Sequence, residues 1–340
     1  MMNYKIFGRS GLRVSELCLG TMTFGTEWGY GADENTSRLI FFRFLEEGGN
    51  FIDTANRYTE GTSEKFLGKF IAESRMRDQL VIASKYSLFT KEGRINDSGN
   101  HRKNLVQTVE GSLQRMNLDF MDILYVHAWD FTTRPDEVMR ALDDLVRSGK
   151  VLHVAVSDTP AWIIAQCNTL ADLRGWSAFC GVQLEYSLIT RDAERELLPM
   201  CNHLELGVTA WAPLAGGALS GKYLSNEAGR VKADSRRRDE KSNRIAATVV
   251  QLAGESGVMP THVALNWILK KHKNVIPVVG ARTIEQIDQN LNALKTTLNE
   301  EQFIRLEEVS AIELGFPHDF YAQEGVQKVL YGGLRNKIQF

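Results

Sequence analysis

The sequence predicts an α/β fold: a closed (β/α)8 TIM barrel, one domain over residues 1–340, with an N-terminal β-hairpin and a C-terminal tail. Three observations predict it. Short apolar runs alternate with amphipathic stretches, giving roughly eight strand-then-helix units, the pattern of a parallel sheet covered by helices. No low-complexity tract, composition shift or Pro/Ser-rich hinge divides the chain. The first barrel strand ends Leu19-Gly20-Thr21-Met22, without the G-x-G-x-x-G that an open dinucleotide-binding sheet carries there. A barrel of ~250 residues plus insertions suits the length.

The elements follow in order. Residues 4–16 hold two short strands around the turn Gly8-Arg9-Ser10-Gly11, a hairpin ahead of the barrel. The barrel proper occupies about residues 17–312, opening with the buried run Leu17–Gly20 and a helix over 34–47 that Gly48-Gly49 stops. Phe51-Ile52 then precedes a helix over 63–72, Leu80–Ala83 one over 103–115, and Met121–Val126 one over Pro135–Arg147. Val151–Val156 leads to Thr159-Pro160, where Thr suits a helix cap and Pro its first turn. Phe179–Leu184 precedes a helix over 192–202, Gly207–Ala210 a long loop and helices near 244–255 and 260–272, and Val275–Val279 a helix over 284–294. The tail is 313–340.

Composition narrows the function. A net charge of −2 gives no basic surface for nucleic acid, and the arginines of the run Val231–Arg244 are interrupted by Asp234, Asp239 and Glu240. That run reads as a mobile, solvated loop, the alternative being that its three consecutive arginines contact the phosphates of a bound ligand when it closes. The four cysteines form no C-x-x-C pair, so buried thiols in a reducing compartment are expected, and no metal site. With no apolar signal core and no run long enough to span a bilayer, the expectation is a cytoplasmic protein with no membrane partner. The sequence leaves homo-oligomerisation open.

In such a barrel the chemistry belongs at the C-terminal strand ends. Asp53 ends the second strand, Lys85 the third and His127 the fourth, and Tyr58 follows in the loop after Asp53. Each alone has a plain explanation: a turn-forming Asp, a solvated Lys, a hydrogen-bonded structural His. Together at successive strand ends they suit proton transfer. A free phenol has a pKa near ~10. An ammonium beside it favours phenolate, so Lys85 is expected to lower the Tyr58 pKa while Asp53 holds Lys85. His127 can then hydrogen-bond a substrate oxygen. No side chain supplies a hydride, so its carrier must be a cofactor.

The stretches GRSGLRVSELCLGTMTFG, FIDTANRY, SEKFLG, ILYVHAWD, VQLEYSLI, AWAPLAGGALSGKY and VIPVVGARTIEQIDQN, in this order over nearly the whole chain, resemble the aldo-keto reductase superfamily. HAWD and SDTPAW resemble its aryl-alcohol-dehydrogenase-like branch, and the broader arrangement is similar to potassium-channel β-subunits. The resemblance implies an NADP(H)-dependent enzyme with Asp53, Tyr58, Lys85 and His127 as its catalytic set. It further implies a cofactor site. Gly20, Thr21, Met22 and Asp53 lie at the first strand ends. Ser157, Asp158 and Gln183 hold the nicotinamide amide, with Asp158 standing where many relatives have Asn. A carboxylate accepts from an amide NH₂ but cannot donate to its oxygen. Trp211 offers its ring face. Ala212, Pro213, Leu214, Gly216, Leu219, Gly221 and Lys222 form a loop around the pyrophosphate, and Gly280, Arg282, Gln286 and Asn290 hold the adenosine end, with Arg282 toward a 2′-phosphate.

The expected reaction is reversible reduction of an aldehyde or ketone, Tyr58 giving the proton. Trp28, Tyr86 and Trp129 are candidate substrate-pocket walls, their aromatic character suggesting apolar or aryl carbonyls. Phe316, Phe320 and Tyr321 of the tail either border that pocket or pack on the barrel. The alternatives are a cofactor-sensing regulatory subunit with slow turnover and a phosphate-handling barrel without redox chemistry.

Overall fold

The computed structural model describes residues 2–225, 229 and 231–338. Tyr4–Ile6 (β1) and Arg13–Ser15 (β2) pair antiparallel, Tyr4 opposite Ser15. Eight parallel strands then close on themselves: Cys18–Gly20 (β3), Phe51–Asp53 (β4), Val81–Tyr86 (β5), Met121–Val126 (β6), Val151–Ser157 (β7), Phe179–Glu185 (β8), Gly207–Trp211 (β9) and Val275–Val279 (β10). β10 pairs with both β9 and β3, which closes the barrel. Around it run Glu34–Glu46 (α1), Thr62–Ser74 (α2), Arg102–Met116 (α3), Pro135–Arg147 (α4), Ala161–Arg174 (α5), Leu197–His203 (α6), Glu240–Ser256 (α7), Pro260–Lys271 (α8) and Ile284–Asn292 (α9). Glu300–Ser310 (α10), His318–Ala322 (α11) and Glu324–Leu330 (α12) follow.

Two cores result from the two-residue alternation of the strands. Inside the barrel pack Phe51, Val81, Ala83, Ile123, Tyr125, Ala155 and Ile276. Between sheet and helices pack Ile52, Ile82, Tyr86, Leu124, Val126 and Val182, with the apolar helix faces. The hairpin closes the barrel floor: Phe7 is fully buried, and a Cβ on Gly181 or Gly207 would collide with its ring. All four cysteines are buried and free. No helix among the described residues is long and apolar enough to cross a membrane.

Several boundaries differ from expectation for identifiable reasons. β5 continues past Ala83 through Ser84, Lys85 and Tyr86, because its polar residues pair with β6 as its apolar ones do. The helix expected over 192–202 breaks into a 3-10 turn, Asp192–Glu194, and α6. Pro199 explains the break: inside a longer helix its ring would meet the carbonyl four residues earlier, whereas in the first turn of α6 it does not. Thr159 caps nothing. Its hydroxyl turns back to donate to Ser157 O at 2.8 Å, beside the left-handed Asp158 (φ 41°), and Pro160 takes the cap position of α5.

The tail leaves the barrel on the mouth side, where Ala311 O accepts from Lys241 Nζ at 2.7 Å and Glu313 O from Arg195. Beyond it the Phe320 ring packs tilted against Phe316 and edge to face against Tyr321, and all three stay exposed.

Candidate active site

Asp53, Lys85 and His127, at or just past the ends of three successive strands, converge with Tyr58 from the turn after β4. Lys85 is completely buried, its Nζ 2.6 Å from each Asp53 oxygen, 2.9 Å from Thr54 O and 3.1 Å from the Tyr58 hydroxyl. The register explains the meeting: β4 and β5 are neighbours, and Asp53 and Lys85 both take inward positions near the end of adjoining strands. Gln183, from β8 across the barrel, donates to Asp53 Oδ1 at 2.9 Å. His127, just past β6, packs edge-on to the Tyr58 ring with centroids 5.9 Å apart. Its buried Nδ1 has no hydrogen-bond partner.

The electrostatics differ from expectation in one respect. The Tyr58 pKa is raised, to about 12. Burial is the largest cause, and it outweighs the lowering by Lys85, while Asp53 adds to the rise. Lys85 is itself held above the usual lysine range: burial pulls it down, but Asp53 and the Tyr58 oxygen more than offset this. Burial, followed by the Lys85 charge, pushes His127 well below the usual histidine range, so its imidazole is neutral at neutral pH. Tyr58 is thus a protonated donor at neutral pH, with an ammonium behind it to stabilise any phenolate.

Above this set opens a cavity of ≈ 1050 Å³. Tyr58, His127 and Asp53 line it, while Lys85 lies beneath. Of the residues expected to hold the cofactor, Gly20, Met22, Ser157, Asp158, Gln183, Trp211, Ala212, Pro213, Leu214, Gly216, Lys222, Gly280, Arg282, Gln286 and Asn290 also line it. Thr21, Leu219 and Gly221 do not: Thr21 is buried with its hydroxyl on Asp53 O at 3.0 Å, Leu219 lies in the outer core, and the left-handed Gly221 ends a 3-10 turn. Asp158 accepts from Trp211 Nε1 at 2.9 Å, which fixes the indole ring.

At the start of α9 the side-chain amides hold the backbone. Gln286 accepts from Arg282 N at 2.9 Å, and Asn290 donates to Gly280 O at 3.3 Å.

Two substrate-wall expectations fail. Tyr86 is fully buried in the outer core, its hydroxyl 3.3 Å from Asn100 O, and Trp129 lies in the same core. Tyr86 points outward because Lys85, its neighbour on β5, points inward. Trp28 does line the cavity; Phe316, Phe320 and Tyr321 do not.

The arginine run is also not a free loop. Arg236 and Arg237 bond Glu185 at the end of β8, at 3.2 and 2.7 Å, and Arg237 lines the cavity near the Trp211 ring. Sequence reasoning missed Arg57, Tyr30 and Leu88 as lining residues. Arg57 had a signal, standing next to Tyr58.

The Aldo/keto reductase family matches residues 16–311. Norsolorinic acid reductase of Aspergillus flavus is 38% identical over 326 residues, covering 94% of this chain and 83% of its own. Aryl-alcohol dehydrogenase [NADP(+)] of Phanerodontia chrysosporium is 36% identical over 329 residues, covering 91% and 86%. Relatives named as reductases and dehydrogenases, matched along the barrel whose mouth carries these groups, make the assignment plain: the chain belongs to the aldo/keto reductase family and is an oxidoreductase.

Proposed function

We propose that the protein reduces aldehydes or ketones reversibly to alcohols with NADPH, and that Tyr58 is its general acid and base. The observation that carries the reading is the Lys85 ammonium 3.1 Å behind the Tyr58 hydroxyl, at the floor of a cavity that His127 shares.

The chain's residues fit the cofactor. Arg282 lines the cavity and makes no ion pair among the described residues, so its guanidinium is available to a 2′-phosphate. Gly216 and Gly217, at φ 69° and 93°, turn the backbone close to the cavity where a pyrophosphate would run. Trp211, fixed by Asp158, offers a flat wall to a ring. A reduced nicotinamide, when bound, supplies the hydride.

The protein's own part is the proton and the orientation. His127, neutral, directs a carbonyl oxygen toward Tyr58 without adding charge. Tyr58 donates its proton to that oxygen, and Lys85, held by Asp53, stabilises the phenolate left behind. In the oxidation direction the phenolate takes the proton back. Trp28, Tyr30 and Leu88 give the cavity an aromatic and apolar part of its lining, and two relatives are named for aryl alcohols and for norsolorinic acid, so the substrate class we assign is aryl carbonyls.

The test is a panel of aryl and alkyl aldehydes and ketones, followed by NADPH absorbance with the alcohol product identified, and repeated with NADH. Aryl carbonyls should be consumed, with one alcohol formed per NADPH oxidised. Cofactor binding without consumption of NADPH by any member would contradict the reading.

A further inference from the structure

Beside Tyr58 the chain builds a small charged fixture that the proton relay does not use. Arg57 and Glu60 form an ion pair. The Glu60 oxygen in that pair, Oε1, also accepts from Trp28 Nε1 at 3.2 Å. The Arg57 guanidinium lies 5.4 Å from the Trp28 ring centre and 4.7 Å from that of Phe89. Trp28 in turn meets the Tyr58 ring edge to face, with centroids 6.4 Å apart and planes at 80°. One carboxylate oxygen and one guanidinium therefore hold both the edge and the face of the indole.

The backbone is bent to make this possible. Thr59 and Glu60 are consecutive non-glycine residues in the left-handed region, φ 46° and 56°. Such a pair persists only where the surroundings over-determine it. Here the buried Thr59 hydroxyl donates to Phe24 O at 2.5 Å, and Thr62 bonds Glu27. The loop carrying Trp28 is thus tied to the Tyr58 turn at three points.

We propose that Glu60, with Arg57, is a positioning residue for substrate selection: it locks Trp28 as a rigid flat wall beside Tyr58, and so favours planar aryl carbonyls over flexible alkyl ones. A fixed ring face rewards a flat partner, because offset or edge contacts need defined geometry, whereas an alkyl chain adapts to a mobile wall nearly as well. The inference rests on the carbonyl-reduction reading for its substrate class.

The experiment compares wild type with Glu60→Ala and Glu60→Gln, each saturated with NADPH. Binding of 2-naphthylmethanol and of 1-hexanol is measured by NMR titration, since alcohol with reduced cofactor cannot turn over. The ratio of kcat/KM for 2-naphthaldehyde over hexanal is measured alongside. In Glu60→Ala both aryl-to-alkyl ratios should fall by about 3- to 10-fold, the size of a lost oriented aromatic contact. Glu60→Gln, whose amide oxygen still accepts from Trp28, should lie between Ala and wild type. Ratios unchanged in Glu60→Ala, or an equal loss for both ligands as a merely structural role would give, overturn the proposal. If wild type consumes no NADPH with any carbonyl, the proposed reaction fails, and the alcohol-binding ratio still decides the role of Glu60.

Discussion

In the proposed mechanism Tyr58 and Lys85 divide one task between a proton and a charge. A phenol raised to about 12 stays protonated throughout the neutral range, which suits the reduction direction. Reduction turnover should therefore be nearly flat from about pH 6 to 8, as far as Tyr58 governs it. The spacing of Asp53, Tyr58, Lys85 and His127 was legible because each ends or follows a strand. The net sign of the Tyr58 shift was not, because desolvation depends on how completely the fold covers the ring. Arg282 makes a second residue-scale prediction. Arg282→Ala should weaken NADPH binding by ~1.5–3 kcal/mol, a lost charged hydrogen bond, and leave NADH nearly unchanged. Fluorescence titration of both cofactors checks this; equal losses would remove the 2′-phosphate role.

At the scale of elements, strand alternation decides what reaches the mouth. On β5 it sends Lys85 inward and Tyr86 outward, so aromatic character alone was a poor guide to the substrate wall, and period two was the better one. The Arg57–Glu60–Trp28 contact was hidden for a different reason: it needs two left-handed residues at Thr59 and Glu60, which no propensity favours. The outward Ser84 has its own support. It donates to Glu64 of α2 at 2.6 Å, and Glu64, fully buried, accepts from Arg115 of α3 at 2.7 Å. This ties α2 and α3 to the strand that carries Lys85. Arg115→Met leaves Glu64 buried without its ion partner and should destabilise the protein by ~3–5 kcal/mol, read from urea unfolding. A loss below about 1 kcal/mol, the usual worth of an exposed pair, would show that Glu64 is not committed to Arg115.

For the whole molecule, the eight-unit rhythm specified the closed barrel, and closure gathers residues from β4, β5, β6 and β8 at one mouth. The hairpin seals the opposite end with Phe7 against Gly181 and Gly207. Phe7→Ala should cost ~3–5 kcal/mol of stability, as a large core ring replaced by a cavity does. Cofactor affinity should be retained, because the plug lies at the far end from the site. Thermal melts with and without NADPH test both halves.

The central claim is that Tyr58 moves the proton. Its most direct test is the initial rate of alcohol oxidation against pH, at saturating cofactor, for wild type and Tyr58→Phe. Oxidation needs the phenolate, whose fraction below its pKa grows about tenfold per pH unit, so the wild-type rate should climb without a plateau below about pH 9. Tyr58→Phe should lose ~10²-fold or more and show no recovery at high pH, having no phenol to ionise. If Tyr58→Phe keeps more than about a tenth of wild-type turnover, less loss than general acid–base catalysis carries, the proton is moved by another group.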